Sequence, residues 1–235
     1  METVSYIIGD IHGQDDKLER LLASIESRHH WKSPKKKGKL IFLGDYIDRG
    51  PNSQKVIDLA MQGISSFSSV YLKGNHEQLL IEALNSSDRN IWNNWMSAGG
   101  ETTLKSFGYD LFESKYDHKL LIKKIGEERT NWLLGLELTH QFDDVICVHA
   151  GFNPEIQISN QTEKDMLWIR KRFLNSNHKF AYGVVHGHTP HDQPVVKSNR
   201  ICVDTGAGMG GELTALVIDK SWLDVVRNPD FISTN

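Results

Sequence analysis

The 235 residues carry 27 Lys plus Arg against 30 Asp plus Glu, a net charge of -3, so no broad positive field serves nucleic acid or an anionic membrane, and an anionic substrate must be held locally. With 39% hydrophobic and 24% charged residues, a packed core is expected, and disorder, collagen and coiled coil are excluded for the chain as a whole. Eleven histidines against two cysteines disfavour a disulfide scaffold or thiolate zinc site and favour metal ligation by imidazole and carboxylate.

In chain order, VSYIIGD reads as a buried strand, and DDKLERLLASIES as a helix with Leu18, Leu21, Leu22 and Ile25 on one face. The run KKKGK at 35–39 is a solvated loop before a second strand, KLIFLGD; QKVIDLAMQG is then helical and SVYLKGN a third strand. Strand-helix-strand alternation implies parallel crossovers, with ligands gathered beyond the carboxyl ends of the strands. Residues 85–135, rich in Trp, Gly and charge, read as an irregular and helical insertion, where Trp92 and Trp95 at helical spacing form a core-packing face. HQFDDVICVHAG, GVVHGHTP, PVVKSNRICVDTG and ELTALVIDK follow as strands of an antiparallel or mixed sheet. No repeat or linker divides the chain, so residues 1–235 are taken as one domain. No apolar run reaches the roughly 18 residues of a membrane span, and no basic segment precedes a signal-type core, so a cytoplasmic, monomeric protein is expected. Cys147 and Cys202 sit in apolar strands as buried small hydrophobes, with a disulfide between them left open.

The polar motifs all close strands. Asp10 and His12 end the first; on extended backbone they share a face about 6 to 7 Å apart at Cα, close enough to converge on one ion. The second strand ends in GDYIDRGP, where Asp45 suits a bridging carboxylate and Arg49 brings a bidentate guanidinium. Asn75 and His76 follow the third, and His149 and His188 close two later strands. Asp10, His12, Asp45, Asn75, His149 and His188 form a thiolate-free set too large for one tetrahedral zinc with an open position, but suited to two ions sharing a carboxylate. Such pairs stabilise the attacking and leaving oxygens of an in-line displacement, so hydrolysis of a phosphate ester is the natural chemistry.

GDIHG, GDYIDRG, GNHE, VHAG and GHT, in this order, resemble the signature of the PPP family of serine/threonine phosphoprotein phosphatases within the calcineurin-like metallophosphoesterases. GGETTLKSFG, LWIRKRFL and DTGAGMGGELTAL further resemble its small bacterial and phage members. The resemblance implies an α/β fold of two mixed sheets sandwiched between helices, and two divalent ions, Mn2+ first with Fe or Zn as alternatives. It makes Asp10 and His12 ligands of one ion, Asp45 the bridge, and Asn75, His149 and His188 ligands of the other, Asn75 also touching the phosphate. His76 would be the general acid, oriented by Asp48, and Arg49 and Arg170 the phosphate clamps, with Arg172 the competitor to Arg170. His186 is set aside as a rim or supporting residue, Asp204 is given a structural role, and His29, His30, His118, His140, His178 and His191 are read as surface or loop histidines. The implied substrates are phosphoserine and phosphothreonine in proteins or peptides. The alternative is diadenosine tetraphosphate or another small phosphate ester, cleaved as by the symmetrical bis(5'-nucleosyl)-tetraphosphatases. A catalytically dead, partner-binding relative is the third reading, and no ligand or acid is missing to support it.

Overall fold

The computed structural model describes residues 2–219 and 222–227. Two five-stranded sheets face each other between helical layers. The first contains β1 (Thr3–Ile8), β2 (Lys37–Phe42), β3 (Phe67–Tyr71), β9 (Thr214–Asp219) and β10 (Trp222–Arg227), in the order β10-β9-β1-β2-β3. β1, β2 and β3 run parallel, joined by α1 (Asp15–Lys32) and α2 (Ser53–Gln62) as the strand-helix alternation predicts; β9 lies antiparallel on the other side of β1. The second sheet has the order β4-β5-β6-β8-β7, from β4 (Thr139–Phe142), β5 (Val145–Val148), β6 (Gly183–His186), β7 (Val195–Val196) and β8 (Arg200–Cys202). It is mixed: β5, β6 and β8 run parallel, while β4 and β7 pair antiparallel at the edges. The late strands do not share one sheet, because ELTALVIDK leaves its sequence neighbours to pair with β1.

Alternation along the strands sorts side chains into layers. Val4, Tyr6 and Ile8 of β1 point to the helices, against Leu18, Leu21 and Ile25 of α1. Ile7, Ile41, Leu43, Leu72, Cys147, Val185, Val203 and Leu216 fill the seam between the sheets. Behind the second sheet, Ile146, Val148 and Val184 meet Phe173 and Met166 from α9 (Glu163–Trp168) and α10 (Lys171–Leu174). Burial at about 25 cal/mol per Å² of apolar surface holds these layers, and the seam fixes one sheet's strand ends against the other's. Cys147 and Cys202 are both buried and free. No helix among the described residues is long and apolar enough to cross a membrane.

Residues 85–135 are mostly short helices joined by turns: after α3 (Asn75–Leu84) come α4 (Arg89–Ser97), α5 (Gly100–Ser106), α6 (Leu111–Ser114), α7 (His118–Ile125) and α8 (Glu127–Leu134). Asp88, Asp110 and Asp117 cap α4, α6 and α7 by accepting from first-turn amides, which lets short helices begin within a polar segment. Trp92 and Trp95 are fully buried, as their spacing predicts. His29 departs from the expected surface position: it is buried against Tyr6 and Phe67, with its Nδ1 3.1 Å from the Tyr6 hydroxyl.

Candidate metal centre and active site

The loops after β1, β2, β3, β5 and β6 meet at one end of the sandwich. The chain bends sharply there: His12, Asp45, Asp48, Arg49 and His188 all have positive φ (45–71° across the described non-glycine residues of this kind), with only Lys115, Tyr116 and Asp143 doing so elsewhere among them. Left-handed backbone costs an L residue on the order of 1 kcal/mol, so its concentration at one place marks a constellation held by its surroundings. Close approach also demands glycine. A Cβ on Gly74 would stand 2.1 Å from Asp45 Oδ1, and one on Gly187 2.1 Å from Asp10 Oδ1.

Hydrogen bonds to backbone carbonyls set the imidazole tautomers. His149 Nδ1 donates to Leu43 O at 2.9 Å and His12 Nδ1 to Ile47 O at 2.9 Å. Both rings therefore turn a proton-free Nε2 inward, the arrangement that readies a histidine for a metal. His149 Nε2 lies 2.9 Å from Asn75 Oδ1 and 3.6 Å from Asp45 Oδ1, and His188 Nδ1 lies 2.8 Å from Asn75 Oδ1. His188 Nε2 is buried without a hydrogen-bond partner. Lone pairs facing lone pairs repel, and a cation among them removes the repulsion; the donor chemistry fits a metal. The groups that could hold an ion are His12, Asp45 and His76, and Asp45, His149 and His188, sharing Asp45. Burial works to raise the Asp45 carboxyl, but His149, His76, His12 and His188 outweigh it and hold it well below the usual carboxylate range. Burial lowers His149, and drives His12 down to about 3 and His188 to about 2, keeping all three rings neutral and able to ligate.

One expectation about strand alternation and one about His186 need correcting. β1 ends at Ile8, and His12 at φ 49° is left-handed, so Asp10 and His12 are not a same-face pair on extended backbone. Asp10 instead accepts from the His188 amide at 3.0 and 3.2 Å. Its carboxyl is pushed well up by burial, then by Asp204 and Asp45, and Asp204 holds its turn by accepting from Gly206 N at 2.9 Å. His188, at φ 67°, lies beyond the end of β6, whereas His186 is its last residue. His186 is fully buried, not on the rim: it packs edge-on against Phe173 at 5.1 Å, behind the second sheet.

Beside this cluster, His76 Nδ1 donates to Asp48 Oδ2 at 2.7 Å, and both residues are buried. Arg49 spans two rings, with Nη1 3.0 Å from His12 Nε2 and Nη2 3.0 Å from His76 Nε2. Burial lowers His76, but Asp45 and the Asp48 hydrogen bond together leave it above its ordinary value. Arg170 is exposed at the rim, its Nη1 3.5 Å from the hydroxyl of Thr189, next to His188. Arg172 is turned away into an ion pair with Glu155.

Three supporting residues escaped the sequence reading. Glu77 accepts backbone N–H bonds from Asp45 (2.8 Å), Gly74 (2.9 Å), Tyr46 (2.9 Å) and Ile47 (3.3 Å), tying the loop after β2 to the start of α3. Its presence in GNHE was the available signal. Trp95 and Thr103 reach Asp48 from the helical insertion; pattern alone marks Trp95 as core and gives Thr103 no signal beyond its place in GGETTLKSFG.

Residues 5–218 match the model of the calcineurin-like phosphoesterase family. The chain belongs to that family. It is a metallophosphoesterase, a hydrolase, and the two-sheet α/β fold agrees. Over 97% of its length it is 28% identical to the asymmetrical bis(5'-nucleosyl)-tetraphosphatase PrpE of Oceanobacillus iheyensis, covering 94% of that protein. It is 29% identical to serine/threonine-protein phosphatase 2 of Escherichia coli K12, over 89% of this chain and 90% of the other. A cold-active protein-tyrosine phosphatase from a Shewanella species shares the fold, with a TM-score of 0.59 at 17% identity, over 97% of this chain and 82% of that one.

Proposed function

We propose that this metallophosphoesterase removes phosphate from serine and threonine side chains of proteins or peptides, by direct attack of water on phosphorus. The observation that carries the reading is the buried pair of His76 and Asp48, 2.7 Å apart, beside the ring-spanning Arg49. A serine or threonine alkoxide is a poor leaving group and needs a proton as the P–O bond breaks, whereas a nucleotide leaving a phosphoanhydride needs it less. In this reading His76 delivers that proton from Nε2 while Nδ1–H stays on Asp48. Arg49 and Arg170 hold phosphoryl oxygens by charge-assisted hydrogen bonds, joined by the Asn75 amide.

Asp10, His12 and Asp45 would hold one divalent ion, and Asp45, Asn75, His149 and His188 the other, with Mn2+ first and Fe or Zn as alternatives. Bound there, the ions would supply a nucleophile at neutral pH and neutralise charge gathering on the phosphoryl group. The reading takes residues 1–235 as one catalytic domain, a monomer working in the cytoplasm without nucleic-acid or membrane partners; two free, buried thiols accord with a reducing compartment.

The Oceanobacillus relative favours a second reading, hydrolysis of a dinucleoside tetraphosphate. That relative is named for asymmetrical cleavage, not for the symmetrical cleavage that the motif resemblance offers as its alternative. Initial rates on phosphoserine, phosphothreonine and phosphotyrosine peptides, set beside diadenosine tetraphosphate, decide between them. A higher kcat/KM on the phosphoserine and phosphothreonine peptides is expected; a clear preference for the dinucleotide would replace the first reading with the second.

A further inference from the structure

Asp48 is fully buried, and its carboxylate is surrounded by three donors. His76 Nδ1 reaches Oδ2 at 2.7 Å; the Trp95 indole N–H is shared between Oδ1 at 3.1 Å and Oδ2 at 3.0 Å; the Thr103 hydroxyl donates to Oδ1 at 2.6 Å. The hydroxyl has one proton, and Asp48 takes it. Thr103 Oγ1 must then accept from Ser53 Oγ at 2.8 Å and from the Asp48 amide at 2.9 Å, while Ser53 Oγ accepts from the same amide at 3.1 Å. Every proton in this knot has one consistent direction, so the Asp48 carboxylate has one orientation, with Oδ2 aimed at His76. The insertion also grips the next residue: Gly99 O, in the turn between α4 and α5, accepts from the Arg49 amide at 3.2 Å.

We propose that Trp95 and Thr103 are positioning residues of the active site, acting through Asp48 to hold the His76 ring in line with the leaving oxygen, and that the helical insertion completes the proton-delivery pair. The side-chain hydrogen bonds of Trp95 and Thr103 described above go to Asp48 and Ser53, not to the candidate metal ligands. The Asp48 amide lies in a loop that is left-handed at Asp48 (φ 71°) and Arg49 (φ 66°), and Ser53 opens α2; such strained backbone persists where its surroundings hold it, and Trp95 and Thr103 add to that hold from the insertion. The inference rests on the reading of His76 as the proton donor.

The test measures kcat and KM on a phosphoserine peptide and on p-nitrophenyl phosphate, whose phenolate leaves without help. The variants are Trp95→Phe, Thr103→Val, Thr103→Ser and His76→Asn, with each of the first two also combined with His76→Asn; metal content and thermal unfolding are followed throughout. Trp95→Phe and Thr103→Val should each lower kcat on the peptide about tenfold or more with little change in KM, and cost far less on the aryl ester. Thr103→Ser should restore most of the loss, and neither variant should lower activity further once His76 is Asn. Equal losses on both substrates, or undiminished losses in the His76→Asn background, would overturn the inference. Should Trp95→Phe not fold, the Thr103 pair decides alone. If His76→Asn itself costs both substrates equally, the proton-donor reading fails; if it discriminates while the Trp95 and Thr103 variants do not, this inference alone fails.

Discussion

Asp45 holds the centre of the site at the scale of single residues. It lies 3.4 Å from His12 Nε2, 3.6 Å from His149 Nε2 and 3.9 Å from His76 Nε2, so a neutral substitute removes the one negative charge that both candidate metal groups share. Asp45→Asn should abolish phosphatase activity and leave the purified protein short of metal by elemental analysis; an active, metal-replete Asp45→Asn enzyme would refute the shared-carboxylate arrangement. The two arginines of LWIRKRFL separate by where they point. Arg170→Ala should lower kcat/KM about 100-fold, the usual scale for one charge-stabilising donor, whereas Arg172→Ala, which breaks only an exposed pair with Glu155, should leave it unchanged. Equal effects would place neither guanidinium at the phosphate.

The loop between β2 and α2 is the element on which the chemistry turns, since it carries Asp45, Asp48 and Arg49 in left-handed backbone. Glu77 is its clamp. Burial and Asp45 drive the Glu77 carboxyl up to about 8, while His76 and the amides of Gly74 and Asp45 pull against that shift. Four buried N–H groups converge on its two oxygens and depend on them as acceptors. Glu77→Ala should therefore cost about 3 kcal/mol or more in urea unfolding, because each buried amide left without a partner costs about 1–3 kcal/mol; a cost under about 1 kcal/mol would show that the loop holds its shape by other means. This element also shows what sequence can and cannot express. The residues at the strand ends were legible because Asp, His and Asn beside glycine are rare in apolar surroundings. Their geometry was not: alternation does not extend past the end of β1, where the backbone has already turned, and so His12 does not share a face with Asp10. Trp95 read as core, correctly, but periodicity describes which face is buried and not where an indole N–H ends up.

Across the whole molecule, the layers follow from local pattern, since β1, β2 and β3 alternate with helices and parallel crossovers need little else. The destination of β9 was illegible for the opposite reason. Its partner β1 lies about two hundred positions away, Ser5 opposite Ile218 and Ile8 opposite Ala215, and a short apolar run carries no mark of which sheet will accept it. Insertion and sandwich are likewise coupled only through three dimensions: α5 brings Thr103 to Asp48, 55 residues earlier in the chain.

The late return of β9 has a consequence for how the enzyme is made. β1 leaves the ribosome well before its partner β9, so one edge of it stays unpaired until the chain has reached residues 214–219. Gly9 N–H, directly beside Asp10, waits for the carbonyl of Thr214. An apolar strand with an open edge invites pairing with other chains, so synthesis passes through a long interval in which the chain is sticky and catalytically silent. A chain stopped after Glu212 should accumulate as aggregate, and supplying residues 213–227 as a separate peptide should recover soluble, active enzyme. A soluble, active truncation would mean that the second sheet alone shields β1.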